Sequence, residues 1–171
     1  DLVNQINQGK LMNGEEIKNP PIFFVGGAAN PFATPEPLQL MKLEKKIAAG
    51  AKFIQTQAIF DLAKFKRWMK LVRERELHKR AYIIPGIMLV RSMKTIMFLQ
   101  DRVSGISIPE GYMQRLKKAV DSKKEGMNLC LEHIAAMREI EGVAGVHIMP
   151  AKAESLLPSI VEQAGLIPRL N

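Results

Sequence analysis

The chain has 171 residues, of which 47% are hydrophobic and 25% charged, a balance that suits one globular domain with a sizeable core. It is short for a complete eight-stranded β/α barrel, which needs about 200 to 250 residues. The formal net charge of +8 is compatible with an anionic cofactor or with nucleic acid. No apolar run reaches the roughly 18 residues that a membrane-spanning helix needs, and the first residues have no signal-peptide character, so we expect a cytoplasmic protein without a membrane span.

The cysteine and histidine content argues against a disulfide framework and against a metal site. Cys130 has no cysteine partner in the chain, as is common in a reducing cytoplasm. It lies on an apolar helical stripe, which favours a role in core packing over reactivity. The histidines are far apart in sequence and have no cysteine companion, so we expect no metal site among them: His78, His133 and His147.

The first third of the chain predicts two helices and two strands. A short helix over residues 2–8 is ended by Gly9, and the apolar run 22–25 predicts a strand buried on both faces. The glycines that follow, Gly26 and Gly27, fit two interpretations equally well: a tight turn with close packing, and a close backbone approach to a ligand. A helix then begins at Pro35 and Glu36 with Leu38 and Met41 on its buried face, and a strand follows over 53–56.

The stretch 43–61 is the most informative part of this pattern. Leu43, Ile47 and Ala51 recur at four-residue spacing, the mark of one helical face, and Gly50 stands where that helix would stop. Gln57 falls at the carboxyl end of the next strand, where parallel α/β folds bind their ligands. Asp61 is expected to cap the helix after it.

The remainder continues the alternation. An amphipathic helix over 61–78 precedes a strand that is expected to end at Pro85-Gly86. The later elements are helices over 92–100, from 109 onwards, over 123–140 and over 154–164, with a fourth strand over 146–149. Strands that alternate with helices argue for a parallel α/β fold. Four such units are half of an eight-stranded barrel and would leave edge strands and one side of the core exposed, so we expect preceding sequence or a partner.

The segment KKIAAGAKFIQTQAIFD, with FFVGGAANPF before it and IIPGIM after it, resembles methylenetetrahydrofolate reductase, a flavin-dependent TIM-barrel enzyme. The resemblance covers the whole chain and the second half of the family's barrel. It implies that residues 1–171 form one half-barrel domain, the last four units of a TIM-type (β/α)8 barrel whose first half is missing. It also implies reduction of 5,10-methylenetetrahydrofolate to 5-methyltetrahydrofolate, a step of one-carbon metabolism and methionine biosynthesis.

The resemblance implies that this half-barrel helps to bind FAD, rather than FMN. Lys46 occupies the position of the family's lysine near the adenine dinucleotide portion of the flavin, although the residue pattern alone favours a solvated helix lysine. Lys42 and Lys45 stand at neighbouring cofactor positions. Gln39 falls where relatives can carry an acidic residue on the ribose, and Asn30 where they can carry an aromatic near the flavin, so each would keep a polar contact alone.

Three further residues are implied on the substrate side. Gln57 corresponds to the glutamine beside the isoalloxazine, and its amide offers a donor and an acceptor to a pterin edge. On the pattern alone, a strand-end glutamine held by backbone is at least as good an interpretation. Thr95 stands where the family has a folate-binding glutamine. Lys152 lies near the position where relatives place a basic residue that binds the glutamyl carboxylate of the folate. Thr56 is predicted to be a strand residue rather than a ligand.

The family's catalytic glutamate and its flavin-side aspartate lie on strands that would precede Asp1, so no catalytic residue is assigned in this chain. NADH, NADPH or a redox partner would supply electrons, and we expect a homo-oligomer or a complex with a redox subunit. The alternative is a non-catalytic accessory subunit of this fold that binds flavin or a partner protein. A basic nucleic-acid-binding domain is the third hypothesis, but acids interleave with the bases on the helices, so we expect no nucleic-acid binding.

Overall fold

The computed structural model describes residues 2–167 and shows an α/β fold with one parallel sheet. Its strands lie in the order β1-β2-β3-β4, and each neighbouring pair is parallel, as the alternating pattern predicted. The strands are β1 (Gly26–Ala29), β2 (Phe53–Ala58), β3 (Tyr82–Met88) and β4 (His147–Met149). The helices are α1 (Leu2–Asn7), α2 (Glu36–Ala48), α3 (Leu62–Glu74), α4 (Met93–Arg102), α5 (Glu110–Lys118), α6 (Ser122–Arg138) and α7 (Leu157–Gln163), with 3-10 turns at Leu77–Lys79 and Glu154–Leu156.

The main core lies on one side of this sheet. Ile54 and Ile83 point from the strands into a cluster formed with the apolar faces of α2, α3, α6 and α7. Side chains alternate across a strand, so their neighbours point to the other side. There Tyr82 is 60% exposed, and Phe24, just before β1, is 66% exposed. Within residues 2–167, therefore, helices cover one face of the sheet, as in part of a TIM-type barrel.

The first strand begins four residues later than predicted. Ile22, expected to be buried in it, is 97% exposed, and the ladder instead starts where Gly26 pairs with Phe53. The ring of Phe53 lies over Gly26, where an added Cβ would be 2.2 Å from it. The same ring stacks on Phe24 at 5.5 Å. Glycine is thus required inside the strand: the close packing predicted for this position is confirmed, and the tight turn predicted with it was wrong.

The buried face of α2 is confirmed at Leu43 and Ile47 but was wrong at Leu38 and Met41, which are 41% and 50% exposed. At about 100° per residue, Met41 lies about 160° around the helix from Leu43. The two assignments were therefore incompatible, and Leu40 completes the buried stripe instead. Gly50 ends the helical segment with a positive φ of 104°, as predicted.

The helices that follow keep close to their predicted bounds. Asp61 caps α3 by accepting a hydrogen bond from the backbone N–H of Lys64 at 2.9 Å. This helix ends at Glu74, before the predicted His78, and a separate 3-10 turn follows. Cys130 is buried in the core, and burial raises the pKa of its thiol to about 11, which keeps it protonated and unreactive. The packing role predicted for it is confirmed.

Strand β3 was predicted to end at Pro85-Gly86, but it continues to Met88. The pairing of β2 with β3 passes from Gln55↔Ile84 to Ala58↔Gly86, so β2 contains one extra residue at this point. Proline has no N–H to donate and occurs inside sheets mainly at edges or bulges. The bulge in β2 therefore accommodates Pro85 within a continuous strand.

An ion-pair cluster joins α5 to α6 and gives a test of acid sensitivity. Arg115 contacts both carboxylate oxygens of Glu132 and one oxygen of Glu125. The Arg115 guanidinium holds the pKa of Glu132 below its ordinary value of 4.5. A lowered pKa stabilises the fold at pH values above 4.5, and that contribution is lost as the pH falls through the folded-state pKa.

We therefore expect Glu132→Gln to make unfolding less sensitive to acid between about pH 5 and pH 3. Urea unfolding at several pH values measures this. Glu139→Gln, which removes an exposed carboxylate beyond the same helix, should keep the wild-type slope. An unchanged slope in Glu132→Gln would contradict a stabilising role for the ion pair.

Candidate functional site

Four of the predicted site residues lie at or near the carboxyl edge of the sheet. Asn30 directly follows β1, and Gln57 is the penultimate residue of β2. Thr95 is in the first turn of α4, and Lys152 is in the loop after β4. A second apolar cluster, which includes Phe60, Val90 and residues of α4 and α5, packs at this edge.

A recess between the end of β1 and α2 brings together four of the five predicted cofactor residues. It encloses about 30 Å³ and is lined by Asn30, Gln39, Lys42 and Lys46, together with Ala28, Ala29, Leu43 and Trp68. Gln39, Lys42 and Lys46 follow one another at three- and four-residue spacing, which places them on one helical face. Lys45 is exposed and does not line the recess.

Lys46 is held at the strand end. Its Nζ donates a hydrogen bond to the carbonyl oxygen of Ala28. An added Cβ at Gly27 would lie 3.5 Å from Cδ of Lys46, so the small residue leaves room for the lysine stem. The ammonium group thus lies beside the backbone at the carboxyl end of β1, where it can also meet an anion.

Asn30 has a structural role that the sequence did not reveal. Its Oδ1 accepts from the N–H of Phe32 at 3.1 Å, and its Nδ2 donates to the carbonyl of Ser104, also at 3.1 Å. Gly105 lies so close that an added Cβ would be 2.5 Å from the Asn30 amide. Asn30 therefore ties the loop after β1 to the loop between α4 and α5 while it lines the recess.

Trp68 is the recess residue that sequence reasoning missed. It belongs to the buried apolar stripe of α3, and it is 2% exposed. The apolar pattern of α3 predicts that Trp68 is buried but cannot predict that it lines the recess. The same side chain does both, since it packs in the core and forms part of the recess wall. Its large apolar surface gives the recess a rigid wall.

Gln57 is exposed, and its side-chain amide has no hydrogen-bond partner within residues 2–167. Its backbone is held by Thr56, which is 4% exposed. The Thr56 hydroxyl donates to the Gln57 carbonyl at 2.7 Å and accepts from the Gly86 N–H at 3.0 Å. Thr56 is thus confirmed as a buried strand residue, while the amide of Gln57 stays free for a ligand.

Thr95 and Lys152 lie outside the recess. Thr95 takes part in the cap of α4, since its N–H donates to Ser92 Oγ at 3.2 Å and the two hydroxyl oxygens are 3.0 Å apart. Lys152 is exposed and adopts a positive φ of 67°. Its carbonyl accepts from Arg91 Nη2 at 3.1 Å. Arg91 is therefore a further cation at this edge, signalled in the sequence by its place just after β3.

The electrostatics of the recess favour an anion. Two ammonium groups line it, and no carboxylate does so among the described lining residues. The amides of Asn30 and Gln39 supply neutral polar groups beside them. Elsewhere in residues 2–167, no group of three or more His, Cys, Asp or Glu side chains is arranged to hold a metal ion. Over the same residues, no helix combines the length and the apolar character that crossing a membrane requires.

Comparisons with known proteins agree on one family. The family model described as methylenetetrahydrofolate reductase matches residues 1–165. Methylenetetrahydrofolate reductase 2 of Saccharomyces cerevisiae is 31% identical over 157 residues, which are 85% of this chain and 26% of that protein. Methylenetetrahydrofolate reductase 2 of Schizosaccharomyces pombe is 30% identical over 135 residues, 74% of this chain and 21% of that protein. The chain thus spans about a quarter or less of the length of these relatives.

Among solved structures, one neighbour is an uncharacterized protein from Clostridium thermocellum that binds two copies of 5-methyl-5,6,7,8-tetrahydrofolic acid. It aligns with a TM-score of 0.62 at 19% identity. The alignment covers 88% of this chain and 55% of that one, so the likeness concerns the fold of part of the neighbour.

Proposed function

The chain belongs to the methylenetetrahydrofolate reductase family, and on that premise we propose that it is part of a flavin-dependent reductase of 5,10-methylenetetrahydrofolate. The product is 5-methyltetrahydrofolate. The observation that carries the proposal is the recess at the end of β1, which gathers Gln39, Lys42 and Lys46 on one face of α2 beside the small residues of the strand. The family relationship supplies the reaction, and the recess supplies a place for an anionic cofactor.

The donor set of the recess fits the dinucleotide portion of FAD. Ammonium groups suit a pyrophosphate, and the amides of Gln39 and Asn30 suit ribose hydroxyls. A cavity of about 30 Å³ has room for a single small polar group of such a molecule, and the rest would lie along the carboxyl edge of the sheet. FMN lacks the second phosphate and the adenosine, so it would use less of this surface. When bound, the flavin carries the hydride between the electron donor and the folate.

Gln57 is proposed to orient the substrate. It lies near the carboxyl end of β2, and its exposed amide can donate and accept hydrogen bonds toward a pterin ring. Thr95 and Lys152 flank the same edge from α4 and from the loop after β4. The Lys152 ammonium and the Arg91 guanidinium would attract the glutamyl carboxylate of a folate.

The described half of the fold supports a larger barrel. The uncovered face of the sheet carries Phe24 and Tyr82, and both β1 and β4 have one free edge. The sheet would close if four further β/α units paired with these edges and covered that face, which matches the alignment to 55% of a solved chain. We propose that those units carry the catalytic acid, since none of the described lining residues of the recess is acidic.

A non-catalytic accessory subunit is the second candidate, and the same open face favours it. A separate polypeptide that supplied the missing strands would leave this chain with cofactor binding alone. In either case the assembly, a homo-oligomer or a complex with a redox subunit, would determine whether NADH, NADPH or another protein donates the electrons.

The absorbance spectrum of the purified intact protein that contains this chain tests the proposal. We expect flavin bands that bleach on addition of NADH or NADPH and return on addition of methylenetetrahydrofolate. Bands that resist both nicotinamides but bleach with dithionite and return with the folate would indicate a protein electron donor. A colourless protein that takes up no added FAD would overturn the flavoenzyme proposal and favour the accessory subunit.

A further inference from the structure

The bulge in β2 places the candidate substrate residue at an irregular point of the sheet. Gln55 pairs with Ile84, and the next pairing joins Ala58 to Gly86, so Thr56 and Gln57 together face Pro85. Regular pairing resumes beyond the bulge, where the N–H of Ile59 donates to the Gly86 carbonyl at 2.8 Å. On the β3 side the ladder therefore does not fix the backbone of Gln57, although on the β1 side Thr56 still pairs with Ala29.

The Thr56 side chain replaces the missing ladder bonds. Its Oγ1 accepts from the Gly86 N–H at 3.0 Å and donates to the Gln57 carbonyl at 2.7 Å. Both strands are thereby joined across the bulge by one hydroxyl group. Because Thr56 is 4% exposed, water cannot readily substitute for it.

The surroundings leave the bulge little freedom to adopt another geometry. An added Cβ at Gly86 would lie 2.3 Å from Cε of Met149, 2.8 Å from the Thr56 carbonyl oxygen and 3.0 Å from the Gln57 carbonyl oxygen. The two strands and β4 therefore approach one another as closely as glycine permits. In such a packed site, the hydroxyl selects one orientation of the peptide group between Gln57 and Ala58.

We infer that Thr56 is a positioning residue for folate: its hydroxyl fixes the backbone at Gln57 and so directs the Gln57 amide toward the substrate. This role rests on the proposed function, because it assumes that Gln57 contacts the folate. It does not involve the cofactor recess, whose lining residues include neither Thr56 nor Gln57. Loss of the hydroxyl should therefore weaken folate binding and leave flavin binding intact.

The test compares Thr56→Val, which keeps the shape and removes the hydroxyl, with Thr56→Ser, which keeps the hydroxyl. Binding of 5-methyltetrahydrofolate to the intact holoprotein is titrated by the change in flavin absorbance. We expect Thr56→Val to raise the Kd about tenfold and Thr56→Ser to leave it within about twofold of wild type. Flavin content should be equal in all three proteins. If the valine variant does not fold, Thr56→Ala takes its place.

A double-mutant cycle with Gln57→Ala separates positioning from general destabilisation. If Thr56 acts through Gln57, Thr56→Val should cause little further loss in the Gln57→Ala background. An equal loss in both backgrounds, or unchanged folate affinity in Thr56→Val, would overturn the positioning role alone. Wild-type holoprotein that binds no folate would overturn the proposed function and this role with it.

Discussion

Replacing Gly126 with alanine is expected to lower the free energy of unfolding by about 3 kcal/mol, although alanine is the better helix former. Gly126 lies in α6 against the loop that follows β3. An added Cβ would be 2.1 Å from the Val90 carbonyl oxygen and 3.2 Å from Cα of Arg91. These are backbone atoms of a segment in which Val90 is fully buried, so the loop or the helix must move.

Gly111 provides a matched control, because it is also a helical glycine and has no atom within 4 Å of an added Cβ. Gly111→Ala is expected to raise the free energy of unfolding by about 0.5 kcal/mol through the higher helix propensity of alanine. Urea unfolding of the two variants should thus shift the midpoint in opposite directions. A stabilising effect at both positions would contradict the close packing of α6 on the loop.

The Gly126→Ala substitution also has a consequence at the carboxyl edge of the sheet. Arg91 follows Val90, and its guanidinium holds the Lys152 carbonyl at 3.1 Å. The Ser122 hydroxyl at the start of α6 also donates to the Arg91 carbonyl at 3.1 Å. Displacement of this loop would therefore be transmitted to the two cations that are proposed to attract the folate carboxylate.

The segment from α2 to α3 shows how much of the fold could be predicted from local pattern. The spacing of Leu43 and Ile47, the glycine at position 50 and the cap at Asp61 each depend on interactions a few residues apart. Such short-range interactions can be predicted directly from the order of residues. The parallel sheet follows from the alternation of these elements, because a strand–helix–strand unit almost always forms a right-handed crossover between parallel strands.

The features that sequence reasoning missed depend on contacts distant in sequence. The start of β1 is set by the Phe53 ring lying over Gly26, and the continuation of β3 through Pro85 is set by a bulge in β2. Asn30 reaches Ser104, which is 74 residues away. No pattern within β1, β3 or the loop after β1 indicates these partners. The apolar run before β1 was therefore interpreted as a strand, the proline in β3 as a strand end, and the glycines of β1 as a turn, each from its local tendency.

The candidate site divides in the same way. Gln39, Lys42 and Lys46 meet in one recess because helical spacing places them on one face, and this could be predicted once the helix was known. Trp68 joins them from another helix, and its part in the recess could not be predicted. Lys45 was grouped with Lys42 and Lys46 by the family resemblance, and the geometry of α2 turns it away from the recess.

The contrast between the adjacent lysines gives the second large expected effect, on cofactor binding. Lys46→Met should raise the Kd for FAD about 10- to 100-fold, the range expected when a charged hydrogen-bonding group is lost. Lys45→Met should leave it within about twofold, because exposed charges outside the site contribute little. Both substitutions remove one positive charge and keep an unbranched side chain. Titration of the flavin-depleted intact protein with FAD, followed by flavin fluorescence, measures both constants.

Equal losses of affinity in Lys45→Met and Lys46→Met would contradict a specific role for the recess and indicate that FAD responds to the overall positive field. Salt dependence distinguishes the two mechanisms further. A field effect between exposed charges is screened within about 8 Å at physiological ionic strength, so it should vanish in concentrated salt. Lys46 is itself exposed, but a direct contact between its ammonium group and FAD would be shorter than this screening length, so the effect of its loss should persist. A difference between the adjacent lysines that survives high salt would therefore assign FAD binding to the face of α2 that lines the recess.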